Sequence, residues 1–353
     1  MARYLISIII PVLSDHKAPY IQKRLLALLD YIRNLHNTEL EIVVVDYSPQ
    51  ASALIKQKCN AYIKEDLDGV FNPVKARNLA VHQARGEYLF LHDVDLMYDA
   101  TFYDSLVLEA RRLKKIGAKV FAMLPCLYLT LEGTEKLQAG SLSYDELRES
   151  YLRGEADLVS HIAACSSAIL VTRDYYLKLG GMDESFQGHG CEDFDFIHKL
   201  VVNQPIAMRD EDYYQDVVAQ FPVNYQGFRK FMVYYSLPYL FTPMFLVHLY
   251  HDRPLSNLFY FNRRNNERHL QRNMRSYVGQ GHRSSVPQQP LADFITQLMS
   301  LNEFDVSEYP GLFQYKAGVT GRKGNFGSKL RKLITKPGLF ITDSKFYRII
   351  FKK

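Results

Sequence analysis

At 353 residues the chain has material for one large α/β domain or two smaller ones, and 47% hydrophobic with 23% charged residues exclude a disordered polymer. Four scattered cysteines (Cys59, Cys126, Cys165 and Cys191) with no C-x-x-C pair exclude a disulfide framework and a zinc signature, and point to a reducing compartment. The net charge of +5 is unevenly placed: from Arg322 to Lys353 ten Lys or Arg stand against one Asp, so residues 1–321 carry about −4. An acidic body without a basic stripe argues against nucleic-acid binding.

Arg3 to Leu13 resembles a short signal peptide, but Pro11 interrupts it and no small-residue cleavage site follows. Tyr4 to Ile10 reads instead as a first strand, closed by a proline that has no N–H for a ladder. Ile21, Leu25, Leu28, Leu29 and Ile32 have a helical period over Tyr20 to Leu35, and Glu41 to Val45 is a second strand ending at Asp46. This βαβ unit is parallel and right-handed, so Pro11 and Asp46 fall at one sheet edge, where α/β folds bind nucleotides. Asp46 also suits a plain turn with Ser48 and Pro49.

Residues 74–85 form a helix with Lys75 and Arg77 in its first turn, against the helix dipole. An anionic ligand explains that placement, and so do two solvated charges. Tyr88 to Leu91 is a short buried strand ending in His92-Asp93-Val94-Asp95. Three other D-x-D triplets occur, at Asp66, Asp193 and Asp210, but only Asp93 and Asp95 directly follow a hydrophobic strand. Carboxylates there can hold a divalent cation shared with a diphosphate.

Thr101 to Ile116 reads as a helix and Val120 to Leu124 as a strand. Leu131 to Arg153 reads as a polar, mobile excursion over the site, and Ala163 to Val171 as another strand. Gly180, Gly181, Gly188 and Gly190 then precede Glu192, Asp193 and Asp195 at the start of a helix running to Val202. Glycines there permit close backbone approach to a ligand, and capping explains one carboxylate but not three. Met232 to Tyr250 is apolar yet holds Pro238, Pro243 and His248, so it reads as buried core rather than a membrane span. On an extended segment His248 and His251 face opposite ways, so at most one is expected to ligate a metal.

Six segments in order, SIIIPV (7–12), VVVD (43–46), KARN (75–78), ARGEYLFLHDVD (84–95), GGMDESFQGHGCED (180–193) and VHLYH (247–251), resemble a glycosyltransferase of the GT-A fold near glycosyltransferase family 2. They also resemble the β-1,4-galactosyltransferase, chondroitin polymerase and polypeptide N-acetylgalactosaminyltransferase groups. The resemblance implies an α/β, Rossmann-like, mostly parallel sheet flanked by helices. It divides the chain into a catalytic domain over 1–255 (nucleotide half 1–125, acceptor half 126–255), a helical region over 256–321 and a basic extension over 322–353.

For the site, the resemblance implies that Pro11, Asp46, Arg77 and Asp93 bind the nucleotide-sugar, and that Asp95 and His248 hold Mn²⁺ or Mg²⁺. It assigns His189, Gly190 and Glu192 to the acceptor and Asp193 to the catalytic base. The expected partners are a UDP-sugar and a glycan or lipid-linked glycan. The QxxRW motif of processive synthases is missing, which goes against a processive membrane polymerase. A sugar-nucleotide pyrophosphorylase would show G-x-G-T-R after the first strand, where Pro11-Val12-Leu13-Ser14 stands. An inactive scaffold has no physical need of Asp95, Asp193 and His248.

In the tail, Leu330, Leu333 and Ile334 share a helical face ringed by Lys329, Arg331 and Lys332, and Phe346 to Lys353 repeats the mixture. Too short to span a bilayer, both pieces suit the interface of an anionic membrane, where each basic residue adds roughly 1 kcal/mol. The same residues also suit a tail that packs on the body of the protein or on a second subunit; in the membrane reading the protein is expected in the cytoplasm, peripheral at the inner face of the cytoplasmic membrane. Deleting residues 322–353 should release the protein from anionic liposomes in a sedimentation assay while sparing transfer to a short soluble acceptor.

Overall fold

Strand β1 (Tyr4–Val12) is buried along nearly its whole length. Its unbroken β-branched run suits a strand covered on both faces, where an alternating pattern would leave one face wet. A computed structural model describes residues 4–15, 18, 20–217, 219–251, 262–279 and 284–319; the basic tail lies outside them. Helix α1 (Tyr20–Asn34) buries Ile21, Leu25, Leu28, Leu29 and Ile32, each worth about 1.5–3 kcal/mol of transfer free energy. Strand β2 (Leu40–Asp46) pairs with β1 in parallel, with Pro11 opposite Val45 and Val12 opposite Asp46.

Helix α2 (Ala53–Lys58) and strand β3 (Ala61–Lys64) extend this half. Helix α3 (Pro73–Gln83) starts where the Asn72 side chain accepts from the Val74 and Lys75 N–H groups, with Pro73 at the first turn. Strand β4 (Gly86–Leu91) then lies beside β1, opposite β2. After it come β5 (Leu96–Met97), α4 (Phe102–Ile116), β6 (Phe121–Met123) and β7 (Cys126–Leu129).

Leu131 to Arg153 is not the mobile excursion expected. It forms α5 (Leu131–Gln138) and α6 (Tyr144–Leu152), the latter started by a reciprocal Ser143–Glu146 capping box and anchored by buried Leu147, Tyr151 and Leu152. The polar composition belongs to the outer faces of two amphipathic helices. The strand expected over Ala163 to Val171 is divided between β8 (Val159–Ala163) and β9 (Ile169–Thr172), because the chain changes sheets between them.

Helices α7 (Arg173–Lys178) and α8 (Glu192–Asn203), the short strand β10 (Asp216–Val217), helix α9 (Gly227–Ser236) and strand β11 (Leu246–His248) follow. Met232 to Tyr250 is core in the main, shared between α9, a 3₁₀ turn and β11. Beyond it, α10 (Arg263–Ser276) packs on α8, and α11 (Leu291–Leu301) buries Leu291, Ile295 and Met299. Among the described residues no helix is long and apolar enough to cross a membrane.

The strands form a six-stranded sheet, β3-β2-β1-β4-β9-β6, and a four-stranded sheet, β5-β11-β7-β8. The first four are parallel, and β9 and β6 add antiparallel edges. Where β1, β2 and β4 meet, fully buried Glu41 accepts from the Ser7 hydroxyl at 2.5 Å, the Arg85 guanidinium at 2.6 Å and the Arg85 N–H at 2.7 Å. The Ser7 hydroxyl also accepts from the Gly86 N–H at 2.8 Å. A Cβ on Gly86 would stand 2.5 Å from the Ser7 backbone nitrogen, between two central strands that cannot separate. Gly86→Ala should therefore lower unfolding stability by about 1–3 kcal/mol in urea melts, the usual scale of overpacking.

Candidate active site

The segment after β4 leaves one sheet and enters the other. The His92 N–H donates to the Ile9 carbonyl at 3.0 Å, still beside the central sheet, whereas Leu96 in β5 already pairs with His248 in β11. His92 is buried edge-on against Phe90 and Tyr98, and burial pushes its imidazole down to about 4, so it is neutral at physiological pH. Asp93 accepts from Arg77 Nη2 at 2.6 Å and from the Ser167 hydroxyl at 2.8 Å. Burial raises its pKa, and the guanidinium and hydroxyl more than reverse that, holding the carboxyl below its ordinary range.

Asp95 lies at the sheet crossing, where its carbonyl accepts from the Leu249 N–H at 3.0 Å. That bond continues the β5–β11 pairing and brings the VHLYH segment onto the D-x-D. Asp95, His248 and His251 each offer one ligand atom within 4.8 Å of the others. The expectation that at most one histidine could serve is thus corrected. β11 ends at His248, the backbone leaves the extended form, and the alternation of a strand no longer applies three residues on. One carboxylate and two imidazoles form a mixed O/N set that fits Mn²⁺ better than the all-oxygen shell Mg²⁺ prefers.

The second acidic group stands at the start of α8. Gly190 and Cys191 both have positive φ, 102° and 79°, so the chain enters the helix through two consecutive left-handed residues, the second a non-glycine. Such strain persists only where the surroundings enforce it. Here asparagines do so from two sides. From α3, Asn72 donates to the carbonyls of Glu184 and Phe186, and Asn78 bridges both backbone groups of Met182. From α10, Asn266 donates to the carbonyls of Gln187 and Gly190 at 3.0 Å each.

The loop delivers Glu192, buried, and Asp193, half-buried, to a low-dielectric position. Burial, then the neighbouring Asp193 charge, raises the Glu192 carboxyl well above its ordinary range. Asp193 is raised by burial against the opposing pull of the Phe194 N–H, Arg77, Arg229 and Arg263. Arg77 itself is almost fully buried and stays charged, because Asp93, Glu192 and Asp193 outweigh its desolvation. Its Nε and Nη1, like Glu192 Oε2, have no hydrogen-bond partner among the described residues.

A cleft of about 850 Å³ collects these groups. Pro11, Arg77, Asp93, Asp95 and His248 line it together with His189, Gly190, Glu192 and Asp193. Asp46 does not. It is fully buried, accepts from the Ser48 N–H at 2.8 Å and the Tyr62 hydroxyl at 2.7 Å, and borders an adjoining pocket of about 400 Å³ beside Ser14 and Gln22. Lys75 is exposed and is not among the lining residues. Arg24 on Asp95 and Ser167 on Asp93 escaped the sequence reading, which weighs His251 only as an alternative to His248. Nothing in a helical period singles out Arg24, whereas His251 lay within the quoted VHLYH.

A mostly parallel sheet with strand-end D-x-D carboxylates and a glycine loop before an acidic helix defines a glycosyltransferase of GT-A architecture. The chain belongs to the family described as "Glycosyltransferase like family 2", whose model matches residues 7–276. That match runs past residue 255 to the end of α10, the helix whose Asn266 binds the glycine loop. No curated protein matches.

Solved structures resemble it in part. Staphylococcus aureus TarS aligns at TM-score 0.37 and 17% identity over 56% of this chain and 33% of that one. Its fragment 1–349 in complex with UDP aligns at 0.36 and 18%, covering 56% and 55%. The catalytic domain of Drosophila β1,4-galactosyltransferase 7 in complex with xylobiose aligns at 0.28 and 15%, covering 55% and 59%. This chain thus spans a third of the TarS chain and just over half of its 1–349 fragment.

The raised Glu192 carboxyl carries a sign for stability. A group that binds its proton more tightly when folded contributes stability below its unfolded pKa, and that contribution is lost as pH rises through the folded value. Glu192→Gln removes the titration, so the melting temperature of the variant relative to the parent should rise from pH 5 to about pH 8 and level off above it. A constant difference across that range would mean that Glu192 ionises normally.

Proposed function

We propose that the protein is a metal-dependent inverting glycosyltransferase that moves a hexose or N-acetylhexosamine from a UDP-sugar to a glycan acceptor. The observation that carries the reading is a single cleft holding both the Asp95, His248 and His251 cluster and the Glu192–Asp193 pair. Its volume of about 850 Å³ lies in the range that encloses ligands of nucleotide-sugar size.

In this reading Asp193 accepts the proton of the attacking acceptor hydroxyl. Burial raises its pKa, which makes it a stronger base than an ordinary carboxylate, while Arg77, Arg229 and Arg263 oppose that rise. Glu192, protonated more readily, can donate a hydrogen bond to the acceptor without adding a second full negative charge. Asp93, fixed by Arg77 and Ser167, faces the ribose and donor sugar. Pro11 borders the nucleotide end and Asp46 the pocket that adjoins it, with His189 and Gly190 at the acceptor end. A divalent cation on Asp95, His248 and His251 would neutralise the charge growing on the departing diphosphate. A single displacement inverts the anomeric carbon, so an α-linked UDP-sugar gives a β-linkage.

A lipid-linked glycan of a bacterial capsule or lipopolysaccharide is the acceptor class the resemblance favours. The basic tail would hold the enzyme at the inner face of the cytoplasmic membrane, where such an acceptor is anchored.

UDP release from a panel of UDP-sugars should stop in EDTA and recover best with Mn²⁺. His248→Ala and His251→Ala should both raise the Mn²⁺ concentration needed for half-maximal rate. Asp193→Asn should cut turnover by ~10²-fold or more while UDP affinity stays the same. Full activity in chelator would remove the metal from the mechanism, and near-normal turnover of Asp193→Asn would move the base to Glu192.

A further inference from the structure

Helix α1 reaches the ligand cluster with its first two turns. Tyr20 and Arg24 are one turn apart, on one face of the helix. The Tyr20 ring stacks on His251 with centroids 5.6 Å apart and planes 26° apart, and the Arg24 guanidinium lies 4.6 Å from the centre of the Tyr20 ring. Arg24 Nη1 donates to Asp95 Oδ1, while Nη2 donates to the Tyr250 carbonyl at 2.8 Å. One planar fork therefore joins the two segments that carry the candidate ligands: the β4–β5 linker with Asp95, and the turn between His248 and His251. With Oδ1 engaged, it is Oδ2 that lies toward His251 Nε2, at 3.7 Å. On the other side, His248 stacks on Tyr128 at 4.3 Å and 14°.

We infer that Arg24 is a positioning residue for the metal cluster, the fork that presents Asp95 Oδ2 and holds the His248–His251 turn against it. The inference rests on the reading of that cluster as an ion site. Two effects oppose each other at this position. By Coulomb attraction alone, a guanidinium beside the site repels a divalent cation, so its removal should tighten binding. By geometry, its removal frees the carboxylate and the turn, and partners that orient metal ligands are typically worth 10- to 100-fold in metal affinity. The fork spans two separate segments and its charge is already matched by Asp95, so geometry prevails. Lysine could not replace it, having one ammonium where two divergent N–H groups are used.

The test is Mn²⁺ binding to the full chain without donor or acceptor, followed by the electron paramagnetic resonance signal of the free ion. The parent should bind Mn²⁺ and Asp95→Ala should not; if the parent binds none, the ion-site reading fails and this inference with it. Given parent binding, Arg24→Met should weaken Mn²⁺ by about 10- to 100-fold. Arg24→Lys should weaken it as well, although the charge is kept. Lys23→Met, which removes a charge from the exposed neighbouring position, should leave affinity unchanged. Unchanged or tighter binding in Arg24→Met would overturn the inference while leaving the ion site standing. Thermal melts of each variant guard against misfolding, and if Arg24→Met does not fold, Arg24→Lys decides by the same criterion.

Discussion

The crossing between Leu91 and Leu96 is the constraint on which the site depends. Within these few residues the chain passes from β4 of the parallel sheet to β5 of the second sheet, and each carboxylate is fixed by a different body of structure. Asp93 is held from the first sheet's side by Arg77 of α3 and by Ser167, on the return crossing before β9. Asp95 is held where β5 meets β11, which is also where His248 and His251 arrive. Two backbone hydrogen-bond ladders, β1–β4 and β5–β11, bring the D-x-D and the histidines to one place. Ladders of this kind are stiff, which suits groups that must stay in register through a reaction.

Arg77 is the buried cation that acts on all three carboxylates Asp93, Glu192 and Asp193. Arg77 sits within electrostatic reach of Asp93, Glu192 and Asp193 and is almost wholly removed from water. It lowers the Asp93 carboxyl and restrains Glu192 and Asp193 from rising further, with Arg229 and Arg263 adding to its pull on Asp193. Removing such a buried charge partner would leave several anions unpaired in a low dielectric, a far larger disturbance than loss of a surface pair.

The glycine loop shows how a strained approach can be made stable. Gly190 supplies a conformation that side chains avoid, and Cys191 adopts a similar one at a cost. Asn72, Asn78 and Asn266 bind the carbonyls and N–H groups that a loop without secondary structure leaves open. Helix α10 thus packs with the region that the family match covers, although it follows the last of the recognisable segments. Its Asn266 closes the loop from the side opposite α3.

The sequence by itself determined the parallel sheet, the strand-end position of Asp93 and Asp95, and the glycine loop leading to Glu192 and Asp193. These follow from short-range physics: hydrophobic runs, the period of a helix, the freedom of glycine. It read Leu131 to Arg153 wrongly, because half-polar helices resemble loops in composition until their buried faces are known. It chose His248 and set His251 aside, since the end of β11, which lets both histidines come near Asp95, is fixed by pairing with β5, some 150 residues earlier in the chain. Arg24, Ser167 and Asn266 were invisible for the same reason. Their roles come from partners 71, 74 and 76 positions away. Only the tertiary structure decided which polar side chains turn inward to meet a partner, because a hydrogen bond is set by distance and angle, and neither is written in local sequence.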